Sequence, residues 1–209
     1  MKHSLICGSM FLVAIVLVGP LRAEQAFPFL EQDAVRTAYE LARSGWKPAS
    51  DTVRHAFQVA EDKHFFARPP VRSTITRTIT YWYPEPGRGS IAVSAAIAGE
   101  LSHDEILDWF VHATFLGQGC FGVDAAAGAY FGKLASELEP QEAALLAALV
   151  KAPAALDPIR AHERALARRN YVLQEMAEAG FLSALEAKSA KAKPLSVSEP
   201  LGTCSEAPE

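Results

Sequence analysis

The chain has 209 residues, half of them apolar, with a formal net charge of −4. That is enough for one domain with a sizeable core, and too acidic a balance for a nucleic-acid partner. Removing the first 23 residues takes away Lys2 and Arg22 and no acid, leaving 18 basic against 24 acidic residues and a net charge of −6, which strengthens the exclusion.

In chain order, Lys2 and His3 precede an apolar run from Leu5 to Gly19, broken by Pro20 and followed by Leu21-Arg22-Ala23. A small residue closing such a run marks a secretory signal, and the run is short of the roughly 20 residues a membrane span needs. Residues 1–23 therefore read as an export signal, with an uncleaved N-terminal membrane anchor as the alternative. The expected destination is the periplasm or the outer face of the cytoplasmic membrane. Cys7 lies near the start of the apolar run rather than after it, which argues against a lipoprotein anchor. Its removal leaves Cys120 and Cys204, either a disulfide or a buried thiol plus a free one.

Residues 24–193 form the expected domain and 194–209, containing Pro, Ser and Glu, an expected disordered tail. Within the domain, "EQDAVRTAYELARSG" carries apolar residues at helical spacing and stops at Gly45, and "SDTVRHAFQVAED" reads as a second helix capped by Ser50 or Asp51. Ser73 to Tyr83, "STITRTITYWY", is rich in β-branched and aromatic residues, and propensity alone makes it a strand before a "PEPGRG" turn. Ser102 with Glu105, and Ser183 with Glu186, have the spacing of capping boxes for two further helices. "PQEAALLAALVKAP" is apolar on nearly every side and belongs in the middle of a fold, with Pro140 at its start. The longest helix is expected over 161–179. At about 100° per residue Arg169 falls in its apolar stripe, which makes a buried pair with Glu142 an expectation and a snorkelling Arg169 the alternative.

These segments, "AFQVAEDKHFF", "STIT", "SHDEILDWFVHATFLGQGCFGVDAAAGAYFGK", "EAALLAALVKAP" and "ERALARRNYVL", resemble in order the glycosyltransferase family 51 domain of peptidoglycan glycosyltransferases, over roughly residues 46–191. The resemblance implies a mainly α-helical, distantly lysozyme-like fold, with a short β or irregular segment around 73–90 left open. It implies a monofunctional, shortened, membrane-associated protein that polymerises lipid II. Its partners would be lipid II or a glycan strand, the membrane surface and other cell-wall synthesis proteins. By the same resemblance Glu61 is the catalytic base, and Asp62, Ser73, Thr74, Thr76 and Gly119 bind substrate; Arg77 stands where the family has Gln and is a further substrate-binding candidate, as a cation for the diphosphate, with a solvated basic residue as the alternative. Phe57, Phe65 and Phe66 flank Glu61 in sequence, and an apolar setting raises a carboxyl pKa toward working pH. A divalent metal such as Mg2+ is left open and no cofactor is assigned.

Three departures affect the cleft. Only Phe66 to Arg72 separate the Glu-Asp segment from "STIT", where the family inserts a couple of dozen residues. Around residues 86–93 the family carries a second catalytic-site Glu after Arg-Lys, and this chain reads "PGRGSIAV", with Arg88 as its cation and Glu85 and Glu100 as displaced candidates. The Arg that precedes the family's glycine turn aligns with Ala113, beside His112. Other chemistries are weaker, because His162-Glu163 lacks a second His at helical spacing and there is no Gly-rich phosphate loop or Cys pair motif. The alternatives to polymerisation are a non-catalytic protein that binds glycan, lipid II or a partner, and cleavage of glycan by a single Glu.

Overall fold

The computed structural model describes residues 32–81, 88–202 and 204. The expected export segment, Cys7 and Glu85 lie outside them. Among the described residues there are nine α-helices: α1 Gln32–Arg43, α2 Asp51–Asp62, α3 Thr74–Thr80, α4 Ile91–Glu100, α5 His103–Ala113, α6 Val123–Phe131, α7 Pro140–Leu149, α8 His162–Glu178 and α9 Ala184–Ala192. The only sheet-like pairing among them is one antiparallel bridge, Phe115 to Phe121. None of these helices is long and apolar enough to cross a membrane.

The centre is α7. Its alanines let α2 and α8 approach closely on either side, and Ala143 to Leu149 are all buried. Pro140 starts the helix, and Glu142 closes a capping box by accepting the Glu139 N–H at 2.8 Å. The expected Glu142–Arg169 pair is not formed. Glu142 accepts from Lys133 Nζ at 2.7 Å, within reach of water, while Arg169, only 1% exposed, turns toward the chain's end. Its guanidinium donates to the carbonyls of Lys191, Lys193 and Pro194 and to Asn170 Oδ1. A fully buried cation is thus tolerated because every side of it meets an oxygen.

That contact begins the correction to the tail. Residues 194–202, expected to be disordered, lie packed on the domain: Leu195 is buried against Leu145 and Ala165, and the Ser198 and Gly202 N–H groups donate to the Tyr130 and Ala129 carbonyls at 2.8 and 2.9 Å. A Cβ at Gly202 would sit 2.9 Å from Ala129 Cα, so only glycine allows this approach. Cys204 then forms a disulfide with Cys120 in the glycine turn. Composition misses such a strap because its backbone partners are carbonyls near the end of α6, distant in sequence.

The second correction is α3. Residues 74–80 are helical, where β-propensity gave a strand and the resemblance left a short β or irregular segment open. Ile75, Thr76, Ile79 and Thr80 make one buried face at helical spacing, and Ser73 caps the start by accepting the Ile75 N–H at 3.1 Å. Burial of an i, i+4 pair outweighs a propensity difference of a few tenths of a kcal/mol per residue. Residues 82–87 lie outside the described chain. The shortened connection from α2 to α3 winds into two single turns, Phe65–Ala67 and Pro70–Arg72.

Candidate active site

Glu61 sits in the last turn of α2 and lines an open groove of about 320 Å3 with Thr78, Thr114, Phe115, Val150, Lys151 and Pro153. Four stretches of chain therefore meet there: the end of α2, the outer face of α3, the start of the glycine turn, and the segment leaving α7. The end of α2 carries carbonyls with no helical partner, and side chains from elsewhere satisfy two of them. Arg168 Nη2 donates to the Ala60 carbonyl at 3.3 Å, and Thr74 Oγ1 to the Glu61 carbonyl at 3.0 Å. The backbone that presents Glu61 is thus held from both α8 and α3. Removing the α8 hold, as in Arg168→Met, is expected to speed amide hydrogen exchange in the last turn of α2 about three- to tenfold. Exchange measured by NMR would show it, and unchanged rates would make the contact dispensable.

The other predicted site residues separate into distinct places. Asp62 points inward: its side chain is 3% exposed, paired with Arg68, and accepts Ser73 Oγ–H at 2.7 Å and the His64 N–H at 3.1 Å. Asp62 and Ser73 thus bolt the α2–α3 junction. Thr76 is fully buried and its hydroxyl has no hydrogen-bond partner. Arg77 lines a separate cavity of about 160 Å3 with Arg72, Ser73, Thr74, Gly89 and Ser94. Gly119 (φ +74°) lies under the strap, where a Cβ would be 3.3 Å from the Cys204 carbonyl oxygen. It shapes the turn behind the groove and is not among the groove's lining residues.

The expected aromatic setting of Glu61 also differs. Phe57 packs against Phe110, and Phe65 against Phe66 and His103. The ring beside Glu61 in the groove is Phe115, brought there by the Phe115–Phe121 bridge. This turn requires glycine at residue 122 (φ +78°), because a Cβ there would fall 2.1 Å from the His112 carbonyl oxygen.

The displaced candidates for the lost cleft residues are engaged elsewhere. Glu100 accepts from Arg36 Nε at 2.9 Å, tying α4 to α1. His112 is buried beside Asp124, with Nδ1 3.1 Å from Oδ2. Arg88 is exposed and absent from the groove's lining. Two residues that sequence reading did not single out do line it: Thr78 and Lys151. Thr78 lies one helical turn beyond Thr74, at the edge of the buried Ile75–Ile79 face, so the spacing held the signal. Lys151, in "LVKAP", gave a local clue only as a lone cation between apolar residues.

A divalent metal has little to hold it here. Among the described residues no group of three or more His, Cys, Asp or Glu side chains is arranged for one, and Asp62 already has its oxygens occupied. No step is derived through a metal. Substituting Asp62 by Ala is expected to cost about 2–3 kcal/mol, the loss of charged hydrogen bonds offset in part because Arg68 reaches water. Urea unfolding measures it, and a loss below about 0.5 kcal/mol would contradict the bolt.

Comparison with known proteins identifies the fold. Residues 89–177, from just before α4 through almost all of α8, match the family model described as Transglycosylase. Glu61 and the Ser73–Thr76 run lie upstream of the matched segment. Penicillin-binding protein 1A of Aquifex aeolicus is 48% identical over 93 residues, 44% of this chain and 13% of that protein. Penicillin-binding protein 1A of Vibrio cholerae is 42% identical over 105 residues, 50% of this chain and 13% of that protein. The alignments thus span only about an eighth of these relatives. The crystal structure of penicillin-binding protein 1A from Haemophilus influenzae matches with a TM-score of 0.51 at 28% identity, over 72% of this chain and 17% of that one. The mainly helical, lysozyme-like transglycosylase fold is shared, and residues 89–177 are the part of the chain that matches the transglycosylase family.

Proposed function

We propose that the protein is an exported peptidoglycan glycosyltransferase that acts on lipid II at the membrane surface, with Glu61 as its base. The observation that carries this reading is the groove itself, in which a carboxylate, a hydroxyl and an ammonium group, those of Glu61, Thr78 and Lys151, line one open channel. In the reaction the Glu61 carboxylate takes the proton of the acceptor sugar's 4-hydroxyl. The freed oxygen bonds to the anomeric carbon of the donor, the bond from that carbon to the lipid diphosphate breaks, and the configuration inverts. The electron pair leaves on the diphosphate, and Lys151 is the cation in the same groove available to it. Lys151 thereby stands in for the Arg that the family carries at the position of Ala113.

The proposed setting is cell-wall biogenesis outside the cytoplasm, with residues 1–23 as the export or anchoring segment. Incubating the purified protein with labelled lipid II tests the reading, polymer formation being the expected result.

One observation favours a second reading. Glu61 is the only carboxylate among the groove's lining residues, and Glu100, the nearest described substitute for the family's second Glu, is bound to Arg36. A protein that binds lipid II or glycan without turnover fits this deficit. Saturable lipid II binding with no polymer would establish it in place of the polymerase.

A further inference from the structure

A second cavity, of about 260 Å3, lies between the end of α1, the connection that follows it, and α5, and shares no lining residue with the Glu61 groove. Its floor is Trp46. The indole stacks on the His112 imidazole with centroids 4.9 Å apart and planes 10° from parallel, and Tyr39 meets it edge-on at 5.8 Å. His112 is itself oriented by Asp124, which also accepts the Lys47 N–H at 3.2 Å. Burial works against the Asp124 carboxylate, but the hydrogen bonds from His112 and Lys47 outweigh it and hold its pKa below the usual range. The ring is therefore fixed in place before any ligand arrives.

The rim is polar and of mixed sign. Lys47 and Arg54 supply N–H donors, and Asp108, 3.4 Å from Arg54 Nε, supplies an acceptor. Burial pushes the Asp108 pKa upward against the pull of Arg54. An aromatic cluster that served only to anchor residues 44–50 would need neither the open space nor the charged rim. A simple anion would gain nothing from Asp108, and a purely apolar ligand would cut the Arg54 ion pairs with Asp104 and Asp108 off from water without replacing it.

One chemistry uses all of it. A pyranose has an apolar C–H face that lies on an indole, and a periphery of hydroxyls that both donate and accept. We propose that this cavity is a second saccharide site, seating one sugar ring of a glycan on Trp46 with Asp108, Arg54 and Lys47 bonded to its edge. The choice of an N-acetylated amino sugar rests on the proposed function; the aromatic-and-mixed-charge argument does not.

The test titrates the full-length, 15N-labelled protein with the tetramer of N-acetylglucosamine. Saturable shifts are expected at the Trp46 indole N–H and at the Lys47, Arg54 and Asp108 amides. Asp108→Asn should weaken binding about tenfold, the worth of one charged hydrogen bond. Lys47→Ala, a change at an exposed side chain, should weaken it a few-fold and covers the case in which the α5 variant fails to fold. Glu61→Gln should leave these shifts untouched, which separates this site from the groove. Non-saturating shifts, shifts confined to Thr78, Phe115 and Lys151, or wild-type affinity in both rim variants would overturn the proposal. A wild type that makes no polymer would remove the polymerase reading without touching this one.

Discussion

Replacing Glu61 by Gln is expected to lower the rate of glycan polymerisation about 10²- to 10⁴-fold, the usual worth of a positioned general base. The substitution is nearly isosteric and keeps a hydrogen-bonding tip, so it removes basicity with little change of shape. The fold should not notice. Glu61 is only partly buried, and the backbone around it is held by Arg168 and Thr74 through carbonyls that the substitution leaves in place. The melting temperature is accordingly expected to stay within about 2 °C of wild type, as for surface changes within about 0.5 kcal/mol. Initial rates with labelled lipid II, measured beside thermal unfolding, separate the two effects. Equal rates in wild type and variant would remove Glu61 as base, whatever the stability result. A large fall in rate accompanied by an equally large fall in stability would instead point to a structural role.

Opening the Cys120–Cys204 disulfide has the largest expected effect on stability. The two residues are 84 apart in sequence, and in the loop-entropy description a crosslink of that span stabilises by on the order of 4 kcal/mol. Against a typical domain stability of about 5–15 kcal/mol, that is a large share. Cys204→Ala is the cleaner variant, because Cys120 is fully buried and a polar replacement there would add its own penalty. The strap that Cys204 ends is also held by the Ser198 and Gly202 backbone bonds and by Arg169, so the native fold is expected to survive with a lower urea midpoint. A loss below about 1 kcal/mol would show that those contacts hold the strap without help from the crosslink. Thiol counting on the denatured, unreduced wild type supplies the control, with no free Cys120 or Cys204 expected.

Much of the architecture could be read from local signals. The capping serines at Ser50, Ser102 and Ser183 all act as helix caps, and the apolar alternation of α1, α2, α5, α7, α8 and α9 corresponds to helices in the structure. These features depend on residues within four positions of one another, which a sequence displays directly. α4 was missed because "IAVSAAIAGE" is small and apolar throughout, with no period to reveal a face. α3 was ambiguous because Thr and Ile suit a strand, and only the core beneath Ile75 and Ile79 favours the helix.

The candidate site was less legible. Motif resemblance put Glu61, Asp62, Ser73, Thr74 and Thr76 together, yet tertiary contacts divide them. Asp62 and Ser73 satisfy each other in the interior, Thr74 holds a carbonyl, and Glu61 alone among these lines the groove with Thr78 and Lys151.

By itself, then, the sequence determined the helical class, the family resemblance and the position of the acid, because periodicity, caps and motifs are short-range or copied from relatives. Tertiary structure alone decided which polar groups spend their hydrogen bonds inside the protein and which remain for a ligand, how the last residues strap across the domain, and which distant lysine joins the acid. A side chain's partner is set by packing between segments far apart in sequence, Ala60 and Arg168 being 108 residues from one another, and no local rule carries that information.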